Sequence, residues 1–313
     1  MDQPLGHTIR LRLYPIRPLW SLGAGWAAVS GGLAAAGVPL SLTAWLGLLL
    51  VWLLADPVLG VVWDVGIGNT QRRGIWRRLL SPRLPDVGPT VRSLPYTQQG
   101  SPGYRLACYL GRLRGWWRET FWPEAGRDFA TLVAGLALAL LVGAILGRSV
   151  LALVLASILL SWLAVLSGKG DRFGDSAQST GEGSSFVALW HALGEFGVPW
   201  LIGVLVLGAP SWPVVLLGIC YTVTFFGLID YERGFRLIGA GQATAALLLA
   251  GLRHPMAAGA MAMLLMPQWG LHTWAARVGR PRGEYPVAYR RYLRYVQPFV
   301  ILSMLIAALA VGS

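Results

Sequence analysis

The chain is short of charge and nearly without cysteine. Only 13% of its 313 residues are charged, against about 25% in an average soluble domain. Cys108 and Cys220 are the only cysteines, and two cysteines so far apart give neither a disulfide framework nor a metal cluster. These shortages exclude an ordinary water-soluble domain and a small fold held together by disulfides.

Apolar residues take the place of the missing charge. They make up 55% of the chain, and the mean hydropathy is +0.56. Tryptophan, with 15 copies, is enriched at membrane interfaces. Because a transmembrane helix needs about 20 apolar residues, we predict an all-α, polytopic transmembrane bundle of about nine helices that forms one domain, 1–313. The predicted helices are 18–37, 41–63, 129–147, 149–167, 186–208, 212–229, 236–252, 255–274 and 297–312.

The basic residues predict the orientation of this bundle. With the N-terminus in the cytoplasm, 24 of the 26 basic residues fall in cytoplasmic segments, and the outside turns hold only Arg148 and Arg253. The asymmetry follows the positive-inside rule and places the C-terminus outside. We therefore expect an integral, multi-pass protein of the bacterial inner membrane. Its net charge of +12 is expected to interact with anionic lipid headgroups and not with nucleic acid. Residues 1–36 are either a retained helix or a cleaved signal.

The longest cytoplasmic segment, a loop and interfacial helix predicted at about 70–127, contains an amphipathic stretch. Its apolar residues are Leu106, Tyr109, Leu110, Leu113, Trp116 and Trp117, and its arginines are Arg105, Arg112, Arg114 and Arg118. The apolar residues recur at helical spacing. Such a helix either lies in the headgroup region with its arginines on phosphates or packs over the cytoplasmic mouth of the bundle, and the sequence leaves both alternatives open.

Two acidic clusters lie at the inner ends of the predicted second and sixth helices. Asp56 and Asp64 form the first cluster, and Asp230 and Glu232 form the second. Ionisable residues in membrane spans are costly and are functional candidates by default. Along a helix Asp56 and Asp64 are about 12 Å and about 80° apart, so both reach one cavity but cannot chelate one ion alone. The alternative is that these acids cap helices and pair with adjacent arginines.

Carboxylates that face each other at a basic cytoplasmic mouth suit Mg²⁺ bound to a diphosphate. Mg²⁺ bridges carboxylates to substrate phosphates, and arginines neutralise the phosphate as it leaves. The predicted metal ligands are Asp56, Asp64, Asp230 and Glu232, with Asp64 and Asp230 as catalytic residues, and the predicted diphosphate-binding residues are Arg72, Arg73 and Arg236. Glu195, in the fifth helix, is a further polar candidate that either pairs with an arginine or acts as a base towards an acceptor.

Four passages resemble the UbiA-type intramembrane prenyltransferases. Arg17-Pro18-Leu19 is similar to the N-terminal entry of that family, 56–64 to its first Asp-rich motif, Leu193-Gly194-Glu195 to the start of its helix five, and 230–236 to the end of its second Asp-rich motif. The resemblance implies nine helices and Mg²⁺-dependent transfer of a polyprenyl group from its diphosphate to an acceptor. The chain departs from the family at Pro57, Gly60 and Phe226, where acids are expected.

Three functions fit these features, and the sequence leaves open whether the chain is an enzyme. A UbiA-like prenyltransferase would bind polyprenyl diphosphate and a lipophilic acceptor, namely a quinone, a tetrapyrrole or another lipid. A non-catalytic relative that has lost motif acids would be a lipid- or pigment-binding subunit, or an assembly factor with protein partners in a photosynthetic or respiratory membrane complex. A transporter fits worst, because the acids lie at one mouth and no inverted repeat is visible.

Overall fold

The computed structural model describes residues 22–37, 40–67, 75–80, 100–167, 182–229, 234–279 and 285–313. Within these ranges the regular structure is entirely helical, which confirms the predicted all-α class. The helices are α1 (Ala24–Ala36), α2 (Leu42–Ile67), α3 (Ile75–Leu80), α4 (Pro102–Leu146), α5 (Arg148–Ser167), α6 (182–207), α7 (Trp212–Ile229), α8 (Gly234–Gly251), α9 (Pro255–Gly279) and α10 (Tyr285–Gly312).

The apolar runs of the sequence determine where these helices lie. Each of the nine predicted segments overlaps one helix, and α3 is the additional one. Six helices in the described part are long and apolar enough to cross a membrane, namely α2, α4, α5, α6, α7 and α10. α1 is apolar but has 13 residues. A chain with several such helices has the architecture of a multi-pass membrane protein.

Some helices extend beyond the apolar segments that predict them. α4 begins at Pro102, although its apolar segment was predicted to begin at 129, and α10 begins at Tyr285 where 297 was expected. Hydropathy indicates only the part of a helix that contacts lipid. The helix can continue beyond that part through arginine-rich sequence, because arginine is a good helix former. At the start of α4 the Ser101 hydroxyl accepts a hydrogen bond from the Tyr104 N–H at 3.2 Å. The amphipathic stretch is therefore continuous with a membrane-spanning helix.

α1 lies in the middle of the bundle and contacts α2, α6, α7 and α10. Its contact with α6 is so close that both helices need glycine there. A Cβ at Gly31 would strike the carbonyl of Trp200, and a Cβ at Gly203 would strike the carbonyl of Ala28. Small residues permit this approach of two backbones in membrane bundles. α1 and α6 thereby separate a group made of α2, α4 and α5 from a group made of α7 to α10.

Buried polar side chains join helices within the second group. Gln242 of α8 and Gln268 of α9 form two reciprocal hydrogen bonds of 2.8 and 2.9 Å. The Tyr221 hydroxyl of α7 donates to Ser303 Oγ of α10 at 3.3 Å. In an apolar environment a buried amide must be paired. The paired glutamines therefore hold α8 against α9 in the bundle.

Three helices in the described ranges contain a wide π turn. These turns are Leu54–Leu59 in α2, Trp116–Phe121 in α4 and Leu193–Gly197 in α6. Pro57 accounts for the first, because proline has no N–H to donate to the preceding turn. π turns are rare in proteins as a whole, but those that occur are often found at functional sites. The first and third turns carry Asp56 and Glu195.

Candidate functional site

The structure describes four of the eight predicted site residues. Asp56 and Asp64 lie on α2, Glu195 lies on α6, and Arg236 lies in the first turn of α8. The other four, Arg72, Arg73, Asp230 and Glu232, lie outside the described residues. The structure can therefore locate the first acidic cluster and Glu195, while the second cluster and most of the arginines stay predictions.

The two acids of α2 differ in exposure. Asp56 is half-buried within the π turn, and Asp64 is exposed two turns later. Each residue of a π turn advances around the helix axis by less than the 100° of an α-helix. The angle between Asp56 and Asp64 around the axis is therefore smaller than the 80° expected for a regular helix. Asp56 faces α1, because a Cβ at Gly25 would lie 3.1 Å from the Asp56 Cβ.

Glu195 is the buried acid of the site. It is 7% exposed, and its Oε1 lies 2.9 Å from His191 Nε2, one turn earlier on α6. The contact is an ion pair when His191 is protonated and a hydrogen bond when it is neutral. Burial of a lone carboxylate is costly, so the histidine offsets this cost and lets the carboxylate persist inside the bundle. The pairing with His191 was not predicted, since an arginine or a role as base had been expected.

Trp63 of α2 packs against His191 and Gly194 of α6 and also contacts α5. Its indole stacks on the His191 ring, with centroids 5.5 Å apart and planes inclined by 4°. Its Nε1–H donates to the Ser157 hydroxyl of α5 at 3.0 Å. It also fills the space beside Gly194, where a Cβ would strike Cζ2 and Cη2 of the indole. We call Trp63, Ser157, His191, Gly194 and Glu195 the tryptophan cluster.

The tryptophan cluster joins α2 and α6, the two helices that contain π turns and carry the candidate acids. Trp63 directly precedes Asp64, and Gly194 directly precedes Glu195. The indole is fully buried at 1% exposure, whereas Asp64, the next residue, is exposed. Chemically, the His191–Glu195 pair can hold a proton or pass one, and Asp56 and Asp64 supply carboxylate oxygens.

The start of α8 places Arg236 at the edge of a second aromatic stack. Phe235 stacks on His272 of α9, with ring centroids 3.6 Å apart, and His272 meets Tyr292 of α10 edge-on at 5.6 Å. These contacts fix the first turn of α8, while the Arg236 side chain is exposed. An exposed arginine on a fixed turn is available to an anion.

The described acids fit Mg²⁺ in part. Among the described residues no group of three or more His, Cys, Asp or Glu side chains could enclose a metal ion. Mg²⁺, however, commonly uses one or two carboxylates together with substrate phosphates and water. Asp56 and Asp64 can supply that smaller set. They would hold a metal that arrives with a diphosphate, and they do not form a closed metal site by themselves.

Sequence reasoning missed three members of the tryptophan cluster, namely Trp63, Ser157 and His191. The spacing of His191 and Glu195, four residues apart on a helix, was a signal that they share one face. Trp63 and Ser157 gave no such signal, because the contact between them spans 94 positions of sequence.

No family model, no curated protein and no solved structure matches this chain. The resemblance to the UbiA-type enzymes therefore continues to rest on the four sequence passages alone.

Proposed function

We propose that the chain is a UbiA-like intramembrane prenyltransferase, which moves a polyprenyl group from its diphosphate to a lipophilic acceptor such as a quinone or a tetrapyrrole. The proposal rests on the contact between α2 and α6, two helices that each contain a π turn. Trp63 joins the π-turn helix that bears Asp56 and Asp64 to the π-turn helix that bears Glu195. Interrupted helices and intramembrane acids both mark functional sites in bundles of this kind.

Each candidate residue has a role in this proposal. Asp56 and Asp64, with Asp230 and Glu232, hold Mg²⁺ against the diphosphate, and Arg72, Arg73 and Arg236 bind the phosphate oxygens. Mg²⁺ supplies positive charge where negative charge collects on the leaving diphosphate. Glu195 is buried beside His191, and its carboxylate can accept a proton from the acceptor.

The proposal includes an orientation. We infer nine membrane crossings with the N-terminus in the cytoplasm and the C-terminus outside, in a bacterial inner membrane, because nearly all arginines would then be cytoplasmic. Single cysteines at Arg148 and Arg253, in a background without Cys108 and Cys220, test this orientation. A membrane-impermeant maleimide should label both in intact cells and should not label a cysteine at Gly115. Labelling of Gly115→Cys alone would show the inverted orientation.

A second candidate function is a non-catalytic lipid- or pigment-binding subunit or assembly factor. The observation that favours it is chemical: Pro57 and Gly60 occupy positions where the family has acids, and the described acids alone do not enclose a metal. Such a protein would bind a prenyl tail through the apolar bundle and would have no need of Mg²⁺.

Binding of geranylgeranyl diphosphate to the purified protein separates the two candidates. Wild type should bind it in the presence of Mg²⁺ and lose most of the affinity in EDTA. Asp64→Asn should abolish the Mg²⁺ dependence. Glu119→Gln is the matched control, because it makes the same change of carboxylate to amide at an exposed position of α4, and it should bind as wild type does.

The other outcomes are equally informative. Binding that is insensitive to EDTA and to Asp64→Asn would support the non-catalytic candidate. A complete absence of binding would exclude the prenyltransferase with this donor.

A further inference from the structure

The first fourteen residues of α4 present an uncovered apolar stripe. Pro102–Gly115 contains no buried side chain. Leu106, Tyr109 and Leu110 are 59%, 50% and 52% exposed. Exposed aliphatic and aromatic side chains in this number are unusual on a segment bathed by water. The segment therefore needs something to cover it besides the helices that the structure describes.

Arginines border the stripe on both sides. At 100° per residue, Leu106, Tyr109, Leu110 and Leu113 lie within about 100° of arc. Arg105 and Arg112 lie about 100° from the centre of that arc on one side, and Arg114 lies about 90° from it on the other. The opposite face carries Tyr104 and the small residues Cys108, Gly111 and Gly115. This is the distribution of a helix that lies in a membrane surface.

The charge of the segment has one sign. Between residues 100 and 118 there are four arginines and no acidic residue, and Glu119 is the first acid that follows. A surface that covers the stripe must therefore be apolar in the middle and negative along both edges. Acyl chains bordered by anionic lipid phosphates have this chemistry.

Aromatic side chains lie between this segment and the apolar part of α4. The apolar part of α4, from Phe129 to Leu146, is about 27 Å long at 1.5 Å per residue, which is close to a hydrocarbon core of about 30 Å. The next turns towards the N-terminus form an aromatic cluster, in which Trp117 stacks on Phe121 at 4.6 Å and meets Phe129 edge-on at 5.4 Å. Aromatic side chains of this kind gather at the membrane–water interface.

The helix can bend where it leaves the bilayer. The π turn Trp116–Phe121 separates the amphipathic segment from the span, and Pro123 follows within the next turn. π turns and prolines are where helices kink. A bend there would lay Pro102–Gly115 along the membrane, while a straight helix would carry the apolar stripe into water.

We propose that Pro102–Gly115 is a membrane-surface helix that binds anionic phospholipid. Leu106, Tyr109 and Leu110 insert at the boundary of the acyl chains, and the flanking arginines bind lipid phosphates. The proposal is independent of prenyl transfer.

Fluorescence quenching in nanodiscs tests the proposal. In a background with Cys108→Ala and Cys220→Ala, a bimane label is placed at Leu110→Cys, and the matched control carries it at Gly111→Cys on the opposite face. In phosphatidylglycerol-containing discs the label at 110 should be quenched severalfold more by doxyl-labelled lipid than by iodide. The label at 111 should show the reverse. Both variants should fold, because nothing lies within 4 Å of a Cβ at Gly111 and Leu110 is exposed.

A variant with Arg105→Gln, Arg112→Gln and Arg114→Gln tests the role of the phosphates. Iodide should reach the label at 110 severalfold more readily in this variant and in discs of phosphatidylcholine alone. Equal access of iodide to both labels in phosphatidylglycerol discs would overturn the proposal and show a segment that projects into water. A label at 110 shielded from both quenchers would overturn it in favour of a protein partner.

Discussion

Replacement of Gly194 by alanine tests the packing of the tryptophan cluster. The new Cβ would strike Cζ2 and Cη2 in the six-membered ring of the Trp63 indole. The indole cannot move freely, because it is fully buried, donates to Ser157 and stacks on His191. We therefore expect Gly194→Ala to displace it from both partners.

The expected magnitude follows from three contributions. Overpacking of a full core destabilises by about 1–3 kcal/mol. Loss of the Trp63–Ser157 hydrogen bond adds about 1 kcal/mol. The replacement of glycine by alanine within a helix returns about 0.5–1 kcal/mol. We expect the free energy of unfolding to fall by about 2 kcal/mol in mixed micelles titrated with SDS and followed by circular dichroism.

A matched glycine provides the control, and a second change provides the rescue. Nothing lies within 4 Å of a Cβ at Gly239 of α8, so Gly239→Ala should leave stability unchanged or raise it slightly. Trp63→Phe removes the part of the indole that the new methyl group would strike. The double variant Gly194→Ala/Trp63→Phe should therefore be less destabilised than the sum of the single variants. Stability of Gly194→Ala equal to that of Gly239→Ala would refute this description of the contact.

Three further predictions concern other contacts. Gly203→Ala should destabilise by about 1–3 kcal/mol in the same titration, because its Cβ would strike the Ala28 carbonyl, and an unchanged midpoint would argue against close packing of α1 on α6. Gln242→Leu and Gln268→Leu should each destabilise by about 1–3 kcal/mol, because the remaining glutamine loses its partner on the neighbouring helix. The Gln242→Leu/Gln268→Leu double variant should be less destabilised than their sum, and strict additivity would contradict the pairing. Glu195→Gln should keep the fold and the Mg²⁺-dependent binding of geranylgeranyl diphosphate but lower the rate of prenyl transfer at least tenfold, and an unchanged rate would remove Glu195 from the chemistry.

The apolar runs were sufficient to predict the helices but not their polar, arginine-rich ends. α5 and α7 were predicted almost to the residue, and short turns with glycine or proline precede them. α4 and α10 were predicted too short at their N-terminal ends, where arginine-rich sequence remains helical without being apolar. Hydropathy measures the preference for lipid, and helix formation does not depend on that preference alone.

The candidate site was predictable only where its signals are local. Asp56, Asp64 and Glu195 stand out as acids within apolar sequence, and His191 could have been added from its helical spacing to Glu195. The contacts of Trp63 with Gly194 and Ser157 depend on how α2, α5 and α6 pack. No periodicity within one helix reports that packing. The π turns also escaped prediction, although Pro57 marked the first of them.

The central claim is that a prenyl diphosphate binds where α2 and α6 meet. Photolabelling measures this most directly, with a geranylgeranyl diphosphate that carries its photoreactive group on the isoprene unit next to the diphosphate. We expect labelled peptides from 54–67 and 191–200, and we expect unlabelled donor to suppress the labelling only when Mg²⁺ is present. Labelling confined to the lipid-exposed face of 42–53, or labelling that unlabelled donor does not suppress, would contradict the claim.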